Sequence, residues 1–180
     1  MTKRILIGIA SIAVAATTAG AQDPRPLELG VDAGVAILLA DDPVIVVQIP
    51  VHSLRVGFPI GTRTSLEPKL SFSSQSGGGA TLTEYQAALG LLYHLGSSRY
   101  PGAYHRAGLY VRPFAGIVGA SISNGVDIEE SDGFVGFGVG FKVPLVSRLS
   151  SRFEANLAHR FGDGDGTELG LLAGLSFFTR

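Results

Sequence analysis

Eight stretches of this 180-residue chain share one pattern, an apolar row on alternate positions with small or charged residues between. The last shows it most clearly. In residues 168–180, Leu169, Leu171, Ala173, Leu175 and Phe177 fall on one face, and Glu168, Gly170, Gly174 and Ser176 on the other. A period of two marks a β-strand, because successive side chains point to opposite sides of its backbone. The row spans about eleven residues, the length a tilted strand needs to cross a bilayer. Such a strand needs partners for its backbone and a medium for its apolar side.

The preceding chain supplies seven partners. Residues 28–39 set Leu29, Val31, Ala33, Val35, Ile37 and Leu39 against Glu28, Asp32 and Gly34. Residues 44–58 are ambiguous: Val44 to Val47 are apolar on both faces, and Pro50 cannot donate to a ladder. The strand expected there is 51–58, with Leu54, Val56 and Phe58 opposite Ser53, Arg55 and Gly57. Residues 62–74 place Leu66, Leu70 and Phe72 against Arg63, Ser65, Glu67, Lys69 and Ser71. In 82–95, Tyr85, Ala87, Leu89, Leu91, Tyr93 and Leu95 oppose Glu84, Gln86, Gly90 and His94.

Three more strands precede the last. Residues 107–121 set Leu109, Val111, Ala115 and Ile117 against Tyr110, Arg112, Phe114 and Gly116. Residues 133–145 set Val135, Phe137, Val139, Phe141 and Val143 against Gly136, Gly138, Gly140 and Lys142. Residues 149–161 set Phe153, Ala155, Leu157 and Phe161 against Arg152, Glu154, Asn156 and Arg160. The connections expected are turns at 41–43 and 59–61, loops at 75–80, 122–132 and 162–166, and a longer link over 96–106.

An even number of hairpin-linked strands, eight in all, predicts an all-β, antiparallel up-and-down transmembrane β-barrel. Closure would remove the edges that such strands otherwise expose. The polar faces carry acids Glu28, Asp32, Glu67, Glu84, Glu154 and Glu168 against bases Arg55, Arg63, Lys69, Arg112, Lys142, Arg152 and Arg160. That near balance suits the inside of a barrel whose apolar rows face lipid. Gly136, Gly138 and Gly140 sit on the charged face, where a narrow interior needs space for Tyr110, Arg112 and Phe114. A charge network closing the interior is expected from Arg55, Glu67, Arg112, Lys142, Arg152 and Glu154, with Glu67, Arg112 and Glu154 foremost among its members. His52 and His159 fall on the outer face, near an interface.

The chain opens with a leader pattern: Lys3 and Arg4, an apolar run over 5–16, and Ala19-Gly20-Ala21 as a cleavage site. Residues 1–21 are therefore expected to be a signal peptide, and 22–180 the barrel domain. There is no cysteine, hence no disulfide framework and no lipid-modified cysteine. With 25 glycines and only 16% charged residues, the composition is unlike most soluble secreted domains. The formal net charge of −1 offers no basic surplus for nucleic acid.

Signs of chemistry are weak. Gly136-Phe137-Gly138-Val139-Gly140 lacks the spacing of a nucleotide loop and lies within a strand. Residues 163–168 resemble a fragment of a calcium loop without its full ligand set. A lipid A hydrolase would need a serine near a His–Glu pair; Glu154 and His159 point to opposite faces, and Phe161 stands where the serine would be. The four histidines lack metal spacing. Neither enzyme activity nor a cofactor is expected.

Residues 55–58 (Arg-Val-Gly-Phe), 65–68 (Ser-Leu-Glu-Pro), 110–116 (Tyr-Val-Arg-Pro-Phe-Ala-Gly), 136–144 and 172–177 resemble the small outer-membrane β-barrel proteins, OmpA- and OmpW-like in architecture. The resemblance covers the whole mature chain. It implies residence in the outer membrane among its lipids and lipopolysaccharide, and insertion by an assembly machinery that reads an aromatic-ended last strand. Here Phe177 and Phe178 precede Thr179 and Arg180, so the final aromatic is displaced. With the N-terminus in the periplasm, the outer connections hold Asp41, Asp42, Asp127, Glu129, Glu130, Asp132, Asp163 and Asp165, an acidic set that could share divalent cations with lipopolysaccharide. The function expected is that of a monomer with a structural or barrier role. The alternatives are a barrel that binds or transports a small apolar ligand, with Val44 to Val47 lining its access, and a soluble periplasmic β-sandwich or lipocalin-like barrel.

Overall fold

Each alternating stretch forms a strand, and the eight strands close on themselves. The computed structural model describes residues 26–39, 44–77, 80–96, 107–123, 127–162 and 165–179. The strands are β1 (Glu28–Leu39), β2 (Val44–Pro59), β3 (Thr64–Gly77), β4 (Ala80–His94), β5 (Gly108–Ser123), β6 (Asp127–Val146), β7 (Leu149–Phe161) and β8 (Gly166–Phe178). They run in sequence order round an antiparallel barrel, closed where β1 pairs β8 from Glu28↔Phe178 to Leu39↔Thr167. The expected leader, the turn at 41–43 and most of the 96–106 link lie outside the described residues.

The faces sort as the alternation predicts. Outward residues such as Leu54, Leu70, Phe72 and Ile117 are more than half exposed, while Glu28, Asp32, Arg55, Glu67, Arg112, Lys142, Arg152 and Glu154 are all at most 6% exposed. Charges inside and an apolar belt outside are the reverse of a soluble sandwich or a lipocalin. This arrangement sets those alternatives aside. The inner face is not wholly polar: Leu92, Tyr110, Val118 and Phe134 are buried within it.

The expected boundaries need three corrections. First, β2 begins at Val44, not 51. The register on β1 jumps from Asp32↔Ser53 to Gly34↔Gln48, so Pro50 falls in an unpaired bulge, where its missing N–H breaks no ladder bond. Second, the loops expected at 75–80 and 122–132 are mostly strand. Pairing continues to Gly77↔Ala80 between β3 and β4, and to Ser123↔Asp127 between β5 and β6. Backbone pairing tolerates polar sequence beyond the apolar row, which the alternation could not reveal. Third, Arg63 lies exposed in the turn before β3 rather than on the inner face. Without it, the inner-face charges read from the alternation balance, six acids to six bases.

The glycines of β6 do what the narrow interior requires. Tyr110 pairs Gly140, Arg112 pairs Gly138 and Phe114 pairs Gly136. A Cβ on Gly140 would overlap the Tyr110 hydroxyl, and one on Gly136 would overlap the Phe114 ring. At Gly138 the neighbour is Glu154 instead, at 2.8 Å.

Candidate functional site: a charged interior beneath an open chamber

The lower interior, towards the termini, is built by side chains from six strands: Glu28 and Asp32 (β1), Arg55 (β2), Glu67 (β3), Tyr110 and Arg112 (β5), Lys142 (β6), Arg152 and Glu154 (β7). Alternation brings them inward, and closure brings them together across the barrel. Arg55 donates from Nη1 to Glu28 Oε1 at 2.5 Å and from Nε to Asp32 at 3.1 Å. Lys142 Nζ reaches the other oxygen of Glu28 at 2.5 Å. Arg152 donates to Glu67 and to Glu154, both at 2.6 Å, and its Nε donates to the Tyr110 hydroxyl at the same distance. Arg112 grips Glu154 with Nη2 at 2.5 Å and Nε at 3.2 Å. The Tyr110 hydroxyl in turn donates to Glu154 at 2.8 Å.

All six residues expected to form the network are therefore buried in one cluster. Glu67 sits within 4 Å of three guanidinium groups, those of Arg152, Arg55 and Arg112. The alternation puts Glu28 and Asp32 on the inner face without assigning them to the network, although they neutralise Arg55 and Lys142. It also read Tyr110 as bulk needing space, where its hydroxyl bridges Arg152 and Glu154. Their inward parity was legible. Which inward groups share a height was not.

Above this cluster lies a chamber of about 80 Å³. Its polar lining includes Lys69, Ser71, Glu84, Gln86, Arg112 and Asn156, with Arg160 and Glu168 towards the loop end. Arg160 donates to Glu168 at 2.7 Å. Val35, Phe72 and Tyr85, all on outward rows, also reach the lining. The first two flank β2, whose seam with β3 is short: pairing runs only between Ser53↔Ser71 and Pro59↔Ser65, while β3 and β4 pair along their whole length.

His159 lies outside, half exposed, 3.5 Å from Asp165 and 3.2 Å from the Thr167 hydroxyl. Glu154 is buried inside, so the two cannot share a site. The side chain of His52 lies outside the described residues. Among the described residues no group of three or more His, Cys, Asp or Glu is placed to hold a metal ion.

Fold and interior together define an eight-stranded transmembrane barrel with a polar inside and an apolar outside. The sequence matches the model of the outer membrane protein beta-barrel domain over residues 6–177, and the chain belongs to that family and to the outer membrane. Among solved structures it is similar to the Neisserial surface protein A, at 11% identity and a TM-score of 0.65, covering 84% of this chain and 96% of that one. It is also similar to Ail, the attachment invasion locus protein of Yersinia pestis, at 12% identity and a TM-score of 0.56, covering 86% and 99%. A major outer membrane protein of Thermus thermophilus aligns at 13% identity with a TM-score of 0.51, covering 85% and 99%. At these identities the likeness is one of fold. No curated protein sequence matches this chain.

Proposed function

We propose that this protein serves the outer membrane as a closed structural barrel, a barrier element without catalysis, its lumen plugged by the charge network. The single observation that carries this reading is the set of ion pairs crossing the lower interior. Arg152 on β7 reaches Glu67 on β3, at the opposite wall, and Arg55 on β2 contacts the same carboxylate at 3.6 Å. Opening a pore would separate charges that lie out of bulk water, and unpairing a buried charge costs several kcal/mol. Planar-bilayer recording of the purified barrel tests it. The expected trace is silent or shows brief, small openings; a large, stable conductance would sink the plugged reading. The lipids and lipopolysaccharide around it, and assembly as a monomer, belong to the same proposal.

A second reading, binding or passage of a small apolar ligand, draws support from the short β2–β3 seam. There the chamber reaches residues of the outer wall, Val35 and Phe72 with Tyr85 beside it, so a molecule dissolved in the lipid could enter sideways. Native mass spectrometry of the detergent-released barrel checks this. Stoichiometric retention of an apolar molecule, lost in Phe72→Arg, would favour it over the barrier role.

A further inference from the structure

We infer that the floor of the upper chamber is a binding site for a small oxyanion, a carboxylate, sulfate or phosphate, held between Lys69 and Arg112. The argument begins with charge. Below the chamber, Glu28, Asp32, Glu67 and Glu154 are matched by Arg55, Arg112, Lys142 and Arg152. Towards the mouth, Arg160 is matched by Glu168. Lys69, the sixth inner-face cation, alone makes no ion pair or hydrogen bond among the described residues. Of the acids lining the chamber, Glu84 is four residues above Ala88, the strand partner of Lys69, which is about 13 Å along a strand. Asp132 of β6 lies beside Gly162, at the loop end of β7. Lys69 is thus a cation in a protein-lined space with no direct ion pair: the acids that attract it, Asp32 and Glu154, are already engaged by Arg55 and by Arg112 and Arg152, and a bound anion supplies the missing partner.

A second observation points the same way. Arg112 is 2% exposed, and its Nη1 has no hydrogen-bond partner although Nε and Nη2 are both engaged by Glu154. Buried guanidinium donors are normally satisfied. Arg112 and Lys69 line the same chamber, and the inward positions of the strand between them, Ala88 and Gly90, are small. A Cβ at Gly90 would already stand 2.9 Å from Nη1, so glycine keeps the space over that donor open. The Ser71 hydroxyl donates to Gln86 Oε1 at 3.4 Å, a bond that does not use the Gln86 amide NH₂, and both side chains line the chamber. A cavity of about 80 Å³ holds several waters or one small anion.

The test is isothermal titration of the refolded barrel in a zwitterionic detergent with sodium sulfate, and separately with sodium acetate, at constant ionic strength in a bulky gluconate background. Wild type is expected to bind one equivalent of at least one of the two. Lys69→Met, which keeps the side-chain bulk, is expected to weaken binding by roughly tenfold or more. Glu84→Gln, nearer the mouth, should bind at least as well as wild type. The gel-mobility shift of each variant on heating reports that the barrel is folded. Absence of binding to wild type, or equal binding by wild type and a folded Lys69→Met, would overturn the inference.

Discussion

Arg152 and Glu67 are 85 residues apart in the chain and 2.6 Å apart in the barrel. That contact crosses the lumen and ties β7 to β3, strands that share no backbone pairing. It ties opposite walls of the barrel together through the interior.

Removing that tie should be costly. Arg152→Met leaves Glu67 with only the longer contacts to Arg55 and Arg112, and takes a donor each from Glu154 and Tyr110. Stranding buried acids in this way is expected to destabilise the barrel by about 3–5 kcal/mol. Equilibrium urea unfolding in lipid vesicles measures it, and a loss under about 1 kcal/mol would show that solvent reaches the network.

The glycines of β6 should be unequal, Gly140 facing the interior and Gly133 the outer side. Gly140→Ala forces a methyl group against the Tyr110 hydroxyl and, at 2.5 Å, the Phe153 carbonyl oxygen, which cannot move without the strand. The expected cost is about 1–3 kcal/mol. Nothing lies within 4 Å of where a methyl group on Gly133 would stand, so Gly133→Ala on the same strand should be neutral. Comparing the two unfolding midpoints separates crowding from any general effect of glycine in strands.

The outer belt should respond to depth. Val139 is central in the outward row of β6, and Leu145 lies at its end near the β6–β7 turn. Val139→Arg is expected to cost about 2–4 kcal/mol and Leu145→Arg about 0–1 kcal/mol in vesicle unfolding. Equal costs at both sites would argue against a lipid-facing row on this strand.

The C-terminus carries a clasp that the sequence did not suggest. Thr179 N donates to the Leu27 carbonyl, and Leu27 N donates to the Thr179 hydroxyl, each at 2.9 Å. Deleting Thr179 and Arg180 should leave assembly in cells intact if Phe177 or Phe178 is what the insertion machinery reads, while lowering thermal stability modestly. Outer-membrane fractionation and a melting curve distinguish these effects. A truncated protein absent from the outer membrane would assign the signal to the removed residues.

Strand number, antiparallel order and the facing of each strand were legible in residues such as Leu169 to Phe177 and Glu28 to Leu39, because a period of two is a local property of the chain. So was the membership of Arg55, Glu67, Arg112, Lys142, Arg152 and Glu154 in the interior. Strand ends were less legible. The hairpin between Ser123 and Asp127 has no apolar row to announce it, and Pro50 marks a break that a bulge absorbs.

The sequence by itself determined eight alternating strands, each with an apolar and a charged face, because alternation is local to the chain; that the charged faces turn inward was decided by the closure of β1 on β8. Only the tertiary structure decided who meets whom inside. Tilt and register set the height of each inward side chain, and those depend on pairings between strands rather than on any one strand. They put Glu67 among three guanidinium groups, gave Glu28 to both Arg55 and Lys142, and left Lys69 facing the chamber alone among the described residues.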